Sequence, residues 1–127
     1  MSEIQIIFNA DPSGEKLVKF AETIAKQLVE DKLTRGQIRN VFTEVRKIEA
    51  LWNTDPEKAL RRLTMLKPKL HYQTARNAPV KRLKEVLSEA IDCVNKAKEE
   101  ERTEYFQRFV NLFEALLAYH RSKGGKD

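Results

Sequence analysis

Apolar residues recur every three or four positions along most of the chain, which is the spacing that places them on one face of an α-helix. The first such run covers residues 15 to 31. Its apolar positions are Leu17, Phe20, Ala21, Ile24, Ala25 and Leu28. Residues 1–12 precede this run, and we predict for them a flexible arm that is either extended or disordered.

Capping residues indicate where the next two helices begin. Thr34 and Gln37 have the spacing of a capping box, in which the hydroxyl accepts a first-turn N–H and the amide reaches back. This second helix is predicted to end near Asn53. Its inward face is Ile38, Val41, Val45, Ile48 and Trp52. Asp55 followed by Pro56 predicts the start of a third helix, because proline is tolerated in a first turn.

The third helix is predicted to be kinked at Pro68, since proline removes one backbone hydrogen bond and clashes with the preceding turn. Its inward residues are predicted to be Leu60, Leu63, Leu66 and Leu70. Asn77 and Pro79 repeat the capping pattern before a fourth helix. The buried row of that helix is predicted to be Leu83, Val86, Leu87, Ala90, Ile91 and Val94. A last helix covers residues 103 to 121, and residues 122–127 are predicted to be a flexible tail.

These patterns predict an all-α fold, a compact bundle of about five helices with short connections, and a single domain over residues 1–127. Cys93 is the only cysteine, which excludes an internal disulfide and indicates a reducing compartment. No apolar run approaches the roughly 20 residues that cross a bilayer. We therefore expect a cytoplasmic protein without membrane contact, and the sequence suggests no metal ion or cofactor.

The charge distribution is uneven. Residues 58–84 carry nine of the 24 Lys and Arg residues and none of the 19 acidic ones. The segment is therefore about +9, and the rest of the chain about −4. A merely soluble surface mixes the signs, so this asymmetry favours a face that binds an anion.

A helical wheel groups these basic residues. At about 100° per residue, Lys58, Arg62, Lys69 and Arg76 fall within roughly 40° of one another, away from the leucine face, and Arg35, Arg39 and Arg46 do the same on the second helix. Such rows suit the phosphates of RNA, with Tyr72, Gln73 and Asn40 near enough to add stacking and polar contacts. The predicted RNA-binding residues are Arg35, Arg39, Arg46, Lys58, Arg62, Lys67, Lys69, Arg76 and Lys81.

The last helix is apolar almost all round. One row contains Phe106, Phe109, Phe113, Leu116 and Leu117, and a second row contains Tyr105, Leu112 and Tyr119 at heptad spacing. This pattern is typical of a central helix, and equally of a helix that also contacts another protein copy. Tyr105, Leu112 and Tyr119 are accordingly the predicted partner interface.

Other functions find less support in the sequence. His71 and His120 are the only histidines, and no metal-ligand spacing, phosphate loop or nucleophile motif accompanies them. A helix-turn-helix DNA-binding regulator remains an alternative, with "LTRGQIRNVFTEVRK" as recognition helix. A second alternative is a structural adaptor that binds an acidic protein.

Three segments resemble a known family. They are "TRGQIRN" at 34–40, "YQTARNAPVKRL" at 72–83 and "FVNLFEALLAYHRSKGGKD" at the C-terminus, and together they resemble the small subunit of type III-A CRISPR effector (Csm) complexes. The "EALLAYHR" and "GGK" pattern is the most specific of them. The resemblance covers most of the chain, whereas the residues before Thr34 match only in helical character.

The resemblance implies a non-catalytic, all-α protein of antiviral defence that is present in several copies beside the backbone subunits. Those copies would line the channel where guide CRISPR RNA and target RNA pair, contacting phosphate and ribose, while neighbouring subunits cut RNA and DNA. Arg39, in "IRN", and Arg76, in the "YQ..R" pattern, are then the first candidates for RNA contact, followed by Lys69 and Lys81. Ala75 stands where similar proteins tend to have glycine, and His71 is bulkier than expected.

Overall fold

The computed structural model describes all 127 residues and is all-helical, without strands. The six α-helices are α1 (Glu3–Asn9), α2 (Glu15–Glu30), α3 (Arg35–Trp52), α4 (Pro56–Arg76), α5 (Lys81–Lys96) and α6 (Arg102–Ser122). Short 3₁₀ turns, Ala78–Val80 and Glu99–Glu101, precede α5 and α6. The predicted all-α bundle is confirmed, but the predicted count of about five helices is one too low.

The additional helix is α1, so the predicted flexible arm at residues 1–12 is wrong. Ser2 and Gln5 form a capping box at its start, and Ile4, Ile7 and Phe8 are buried. The guanidinium of Arg108 donates to the backbone carbonyl of Phe8. Two turns are too short for a clear apolar repeat, because helices of this length are held by tertiary packing rather than by their own sequence.

The predicted starts of α3 and α4 are confirmed. Thr34 and Gln37 form the capping box, and the Asp55 side chain accepts the N–H of Lys58 ahead of Pro56. The predicted inward rows of α3 and α5 are buried throughout. On α4, Leu63, Leu66 and Leu70 are buried as predicted, but Ala59 takes the first inward position and Leu60 is only half-buried. Helix α4 continues through Pro68 as one element, and a kink there stays a prediction.

The five long helices run alternately up and down the bundle. Arg82 at the start of α5 contacts Asp31 just beyond α2, whereas Trp52 at the end of α3 donates from Nε1 to Thr103 at the start of α6, 3.0 Å away. The starts of α3 and α5 and the ends of α2, α4 and α6 therefore share one end of the bundle. We call this the basic end.

Helix α6 is the central element, packed against α2, α3 and α5. Phe109, Phe113 and Leu116 are completely buried within a continuous core of 30 residues. Leu112 is also 0% exposed, so its predicted role in a partner interface is wrong for the folded chain. The heptad row reflects a helix that is surrounded by its own bundle.

The other two residues of the predicted partner interface are partly buried. Tyr105 packs on Phe8 and donates its hydroxyl to Asn9 Oδ1 at 2.7 Å. Tyr119 packs against the core. Neither side chain projects as a free aromatic surface.

The C-terminal residues are fastened to the basic end, in contrast to the flexible tail predicted for residues 122–127. The backbone N–H of Arg35 donates to the carbonyl of Lys126 at 2.7 Å, and its Nε donates to the carbonyl of Gly125 at 2.6 Å. Gly125 is buried against His120. His120 is 1% exposed, and its Nε2 donates to the carbonyl of Leu33 at 2.7 Å. None of the helices is long and apolar enough to span a membrane.

Candidate nucleic-acid interface

The segment without acidic residues acquires acidic partners from neighbouring helices. Glu44 on α3 accepts hydrogen bonds from two of the predicted RNA-binding residues on α4. Arg62 donates from Nη2 to both carboxylate oxygens at 3.0 and 3.1 Å and from Nε at 3.3 Å, and Lys69 Nζ donates at 3.3 Å. The middle of the basic row on α4 is thus partly neutralised.

Glu44 is ionised over a wide pH range. Its side chain is only 17% exposed. Partial burial opposes ionisation, but the hydrogen bonds and charges of Arg62 and Lys69 outweigh it and lower the pKa of the Glu44 carboxyl. A bidentate Arg–carboxylate pair is among the stronger polar contacts of a protein surface, so a phosphate that approaches Arg62 competes with Glu44.

Two further basic residues of the segment pair with acids from other helices. Lys67 Nζ lies 2.6 Å from Asp92 Oδ1 of α5. Arg82 donates to Asp31 at 2.7 Å and to the side chain of Gln27 at 3.1 Å. The hydrogen bond to Asp31 raises the pKa of Arg82. These contacts join helices, and they leave Lys67 less available to RNA than the sequence indicates.

On α3, Arg46 and Arg35 are also engaged. Arg46 lies 2.7 Å from Glu49 and 2.9 Å from Glu114, with its guanidinium 4.6 Å from the centroid of the Phe42 ring. The hydrogen bond to Glu49 raises the pKa of Arg46, against a partial opposing effect of burial. Arg35 holds the C-terminal residues as described above, and its ion pair with Asp127 is long, at 3.9 Å.

Four of the predicted RNA-binding residues are exposed and form no ion pair: Arg39, Lys58, Arg76 and Lys81. Three of them, Arg39, Arg76 and Lys81, lie at the basic end, where α3 and α5 begin and α4 ends. Lys58 lies at the opposite end of α4, about 27 Å from Arg76 at 1.5 Å per residue. The structure thus places three cations without ion pairs at one end of the bundle and the fourth at the other end.

The opposite end of the bundle carries a cluster of acidic residues, and we call it the acidic end. The 3₁₀ turn before α6 consists of Glu99–Glu101, and Glu104 follows in the first turn of that helix. Asp55 and Glu57 lie at the start of α4, on the same end. Lys16, Lys58 and Lys98 lie at the same end, so it carries charges of both signs, whereas the basic end has three exposed cations without ion pairs.

A cleft between α3 and α6 opens at the basic end, with a volume of about 310 Å³. Arg39 and Arg121 line it together with the apolar side chains of Phe42 and Leu117. Arg121 is distant in sequence from the basic segment and was not among the predicted residues. Only the packing of α6 beside α3 reveals it.

A second depression, which we call the Tyr72 groove, lies on the exposed face of α4. Its lining includes Met65, Lys69, Tyr72, Gln73 and Arg76, and its volume is about 670 Å³. Tyr72 is 64% exposed and Met65 51%. Tyr72 and Gln73 were predicted to lie near the basic row, whereas Met65 was not, because one methionine carries no distinctive pattern.

The remaining reactive side chains are enclosed or isolated. Burial raises the pKa of the Cys93 thiol, so this cysteine is a packed thiol and not a thiolate. His120 is inaccessible to a large substrate, while His71 is exposed on α4. No group of three or more His, Cys, Asp and Glu side chains has the arrangement that could hold a metal ion.

The fold and this surface define a class: a small all-α protein with one basic end and an aromatic side chain exposed beside it. Residues 11–126 of the chain match the Csm2 Type III-A family. The chain therefore belongs to the Csm2 family, the small subunits of type III-A CRISPR effector complexes. The match begins after α1. No curated protein and no solved structure matches the chain.

Membership of this family confirms the resemblance found in the sequence. It implies association with the other Csm subunits of the type III-A complex, and it is consistent with a structural subunit rather than an enzyme. Of the functions weighed from the sequence, the family supports a small subunit of the Csm complex.

Proposed function

We propose that the protein clamps guide CRISPR RNA and target RNA inside the type III-A complex through its basic end. The observation that carries this proposal is that Arg39, Arg76 and Lys81 are exposed and free of ion pairs and all lie at the basic end, on α3, α4 and α5. Basic side chains that face solvent bind phosphates with little regard to sequence. In an RNA-guided complex, base pairing supplies the sequence specificity, so a clamp needs only charge and shape.

The clamp is not an enzyme in this proposal, and its cellular role is antiviral defence in the cytoplasm. Cleavage of RNA by a pair of histidines, one acting as the acid and the other as the base, would require both side chains to reach the RNA. His120 is 1% exposed and donates to the Leu33 carbonyl, so it does not fit this role. Cutting of the bound RNA is therefore assigned to other subunits.

The basic end supports a ranking of the RNA-binding residues. Arg39, Arg76 and Lys81 contribute most, because each cation is available to a phosphate. Arg62 and Lys69 contribute less, because a phosphate must either displace the Glu44 carboxylate or share the cation with it. Arg35, Arg46 and Lys67 mainly hold the fold, while Lys58 is a peripheral contact.

The double variant Arg39→Glu, Arg76→Glu is expected to weaken binding of single-stranded RNA by at least about tenfold near physiological salt, since charge-assisted hydrogen bonds to phosphate are lost. The slope of log K against log salt should become shallower by about 1.4, or about 0.7 for each phosphate contact removed. Fluorescence anisotropy across a salt series measures both quantities.

A matched control reverses two exposed lysines at the other end of the bundle, Lys16→Glu with Lys98→Glu, for the same change in net charge. This control should bind RNA almost as the unchanged protein does, apart from a small long-range effect that salt screens. Equal losses in both double variants would mean that net charge alone governs binding, and the assignment to the basic end would fail.

Glu44→Gln is expected to strengthen RNA binding several-fold and to steepen the salt slope by up to about 1.4. Removing the carboxylate charge frees Arg62 and Lys69 for two phosphates, a Coulombic change on the order of 1 kcal/mol at a solvated site. The same anisotropy titration tests it. Glu100→Gln, an exposed change at the acidic end, is the control for net charge. Weaker binding of Glu44→Gln would instead identify Glu44 as a residue that positions the two cations.

We also propose that copies of the chain associate with one another, the acidic end of one near the basic end of the next. The Glu99–Glu101 turn supplies carboxylates for such a contact, whereas Leu112 of the predicted interface on α6 is buried. Light scattering at low and high salt tests it, since an association through opposite charges weakens as salt rises. An oligomer that is insensitive to salt would contradict this contact.

A further inference from the structure

We propose that the Tyr72 groove binds one unpaired nucleotide of RNA, with the base against the Tyr72 ring and the phosphate at Lys69 and Arg76. This inference rests on the proposed function and adds a ligand of defined chemistry to it: a base outside the stack, as distinct from a backbone held by charge. The groove lies on a face of α4 that no other helix covers.

The aromatic side chain of the groove is exposed without a structural reason. Tyr72 is 64% exposed, and it is the only aromatic residue among the exposed large hydrophobic side chains, which also include Met1, Val18 and Met65. Met65 lies seven residues earlier, two turns along the same face of α4. Exposing two neighbouring apolar side chains to water costs free energy, and this cost is recovered when another molecule covers them.

The polar residues of the groove fit a nucleotide. Lys69 and Arg76 flank Tyr72 at three and four residues, and Gln73 and Asn77 supply amide donors and acceptors for a base edge or ribose. None of the residues that line the groove carries a negative charge, and of the two cations Arg76 is free of ion pairs while Lys69 Nζ lies 3.3 Å from Glu44. An apolar floor flanked by cations complements a base and its phosphate. A hydrophobic peptide offers no negative charge to pair with the two cations.

The side chain of Arg76 is already arranged around the ring. Its guanidinium carbon lies 5.8 Å from the centroid of the Tyr72 ring, and its Nη1 donates to the Tyr72 hydroxyl at 3.3 Å. Arginine and tyrosine planes both stack on bases, and every base offers such a face. The groove therefore recognises the presence of an unstacked base and not its identity.

The experiment compares an RNA duplex that carries one bulged nucleotide with the same duplex in which the bulged nucleotide is abasic, so that only one unpaired base is offered to the groove. Both present the same phosphates, so their ratio of dissociation constants isolates the base. The unchanged protein should prefer the intact RNA by roughly 5- to 150-fold, the range of one base stacked on an aromatic side chain. Tyr72→Ala should abolish that preference while the affinity for the abasic RNA stays the same.

Two variants separate stacking from other roles of Tyr72. Tyr72→Phe keeps the ring and loses the hydroxyl that accepts from Arg76, so it should retain the preference. Val18→Ala shortens an apolar side chain on α2 that is 44% exposed, and it should leave the affinities for both RNAs unchanged. A Tyr72→Phe variant as weak as Tyr72→Ala would show that the hydroxyl merely orients Arg76, and the base site would be wrong.

The remaining outcomes distinguish this inference from the proposed function. If intact and abasic RNA bind equally, and the Arg39→Glu, Arg76→Glu variant still loses both, the clamp stands and the base site falls. If no RNA binds to the unchanged protein, both fall. If Tyr72→Ala loses a Csm subunit from the purified complex while RNA affinity is unchanged, the groove is a protein contact and the inference is overturned.

Discussion

Replacement of Leu116 by aspartate is expected to leave the chain unfolded at room temperature. Leu116 is 0% exposed, in the centre of the helix that contacts α2, α3 and α5. The change removes about 2 to 3 kcal/mol of apolar burial and adds a carboxylate without a partner. Domains are stable by only about 5–15 kcal/mol, and a buried unpaired charge is among the changes that exceed 4 kcal/mol.

Far-UV circular dichroism with thermal unfolding measures this outcome. Ala118→Asp is the matched control, because it introduces the same side chain two residues later at an exposed position beside Arg39 and Arg121. We expect the control to stay within about 1 kcal/mol of the unchanged protein, since exposed charges contribute little. A cooperative thermal transition for Leu116→Asp, with the same change in circular dichroism as the unchanged protein, would mean that α6 is not the centre of the core.

The five long helices could be predicted from the sequence because their apolar repeats continue for four turns or more. Their caps, such as Thr34 with Gln37, add local chemistry that depends on neighbours in sequence. Helix α1 has only two turns, so Ile4, Ile7 and Phe8 give no pattern that differs from a short apolar arm. Its helical state depends on packing against α2 and α5, which the sequence does not display.

The candidate interface was predictable in part. The sequence identifies a segment rich in basic residues, and it identifies Arg39 and Arg76 as exposed residues of helical rows. It does not reveal that Glu44 of α3, Asp92 of α5 and Asp31 just beyond α2 neutralise basic residues of that segment. Interhelical partners have no fixed spacing, unlike the pairs within one helix. Freedom from ion pairs, and not local charge density, ranks the cations.

The second large effect is expected for Gly125→Ala, which should lower the free energy of unfolding by about 1–3 kcal/mol, the usual cost of an added methyl in a close-packed site. An added Cβ would overlap the imidazole ring of His120 and would lie 2.7 Å from the His120 backbone oxygen. The ring has little room to move, because it is buried and bonded to the Leu33 carbonyl.

Relief of this overlap would also detach the C-terminal residues from α3, since Gly125 and Lys126 accept the hydrogen bonds of Arg35. Denaturant unfolding measures the stability, and hydrogen exchange at the Arg35 amide measures the detachment. Gly36→Ala is the informative comparison, because its Cβ would meet only Thr34 Oγ1 at 3.9 Å inside a helix. It should stabilise by about 0.5–1 kcal/mol. Equal and small effects at both glycines would mean that the C-terminal residues are not fastened to the basic end.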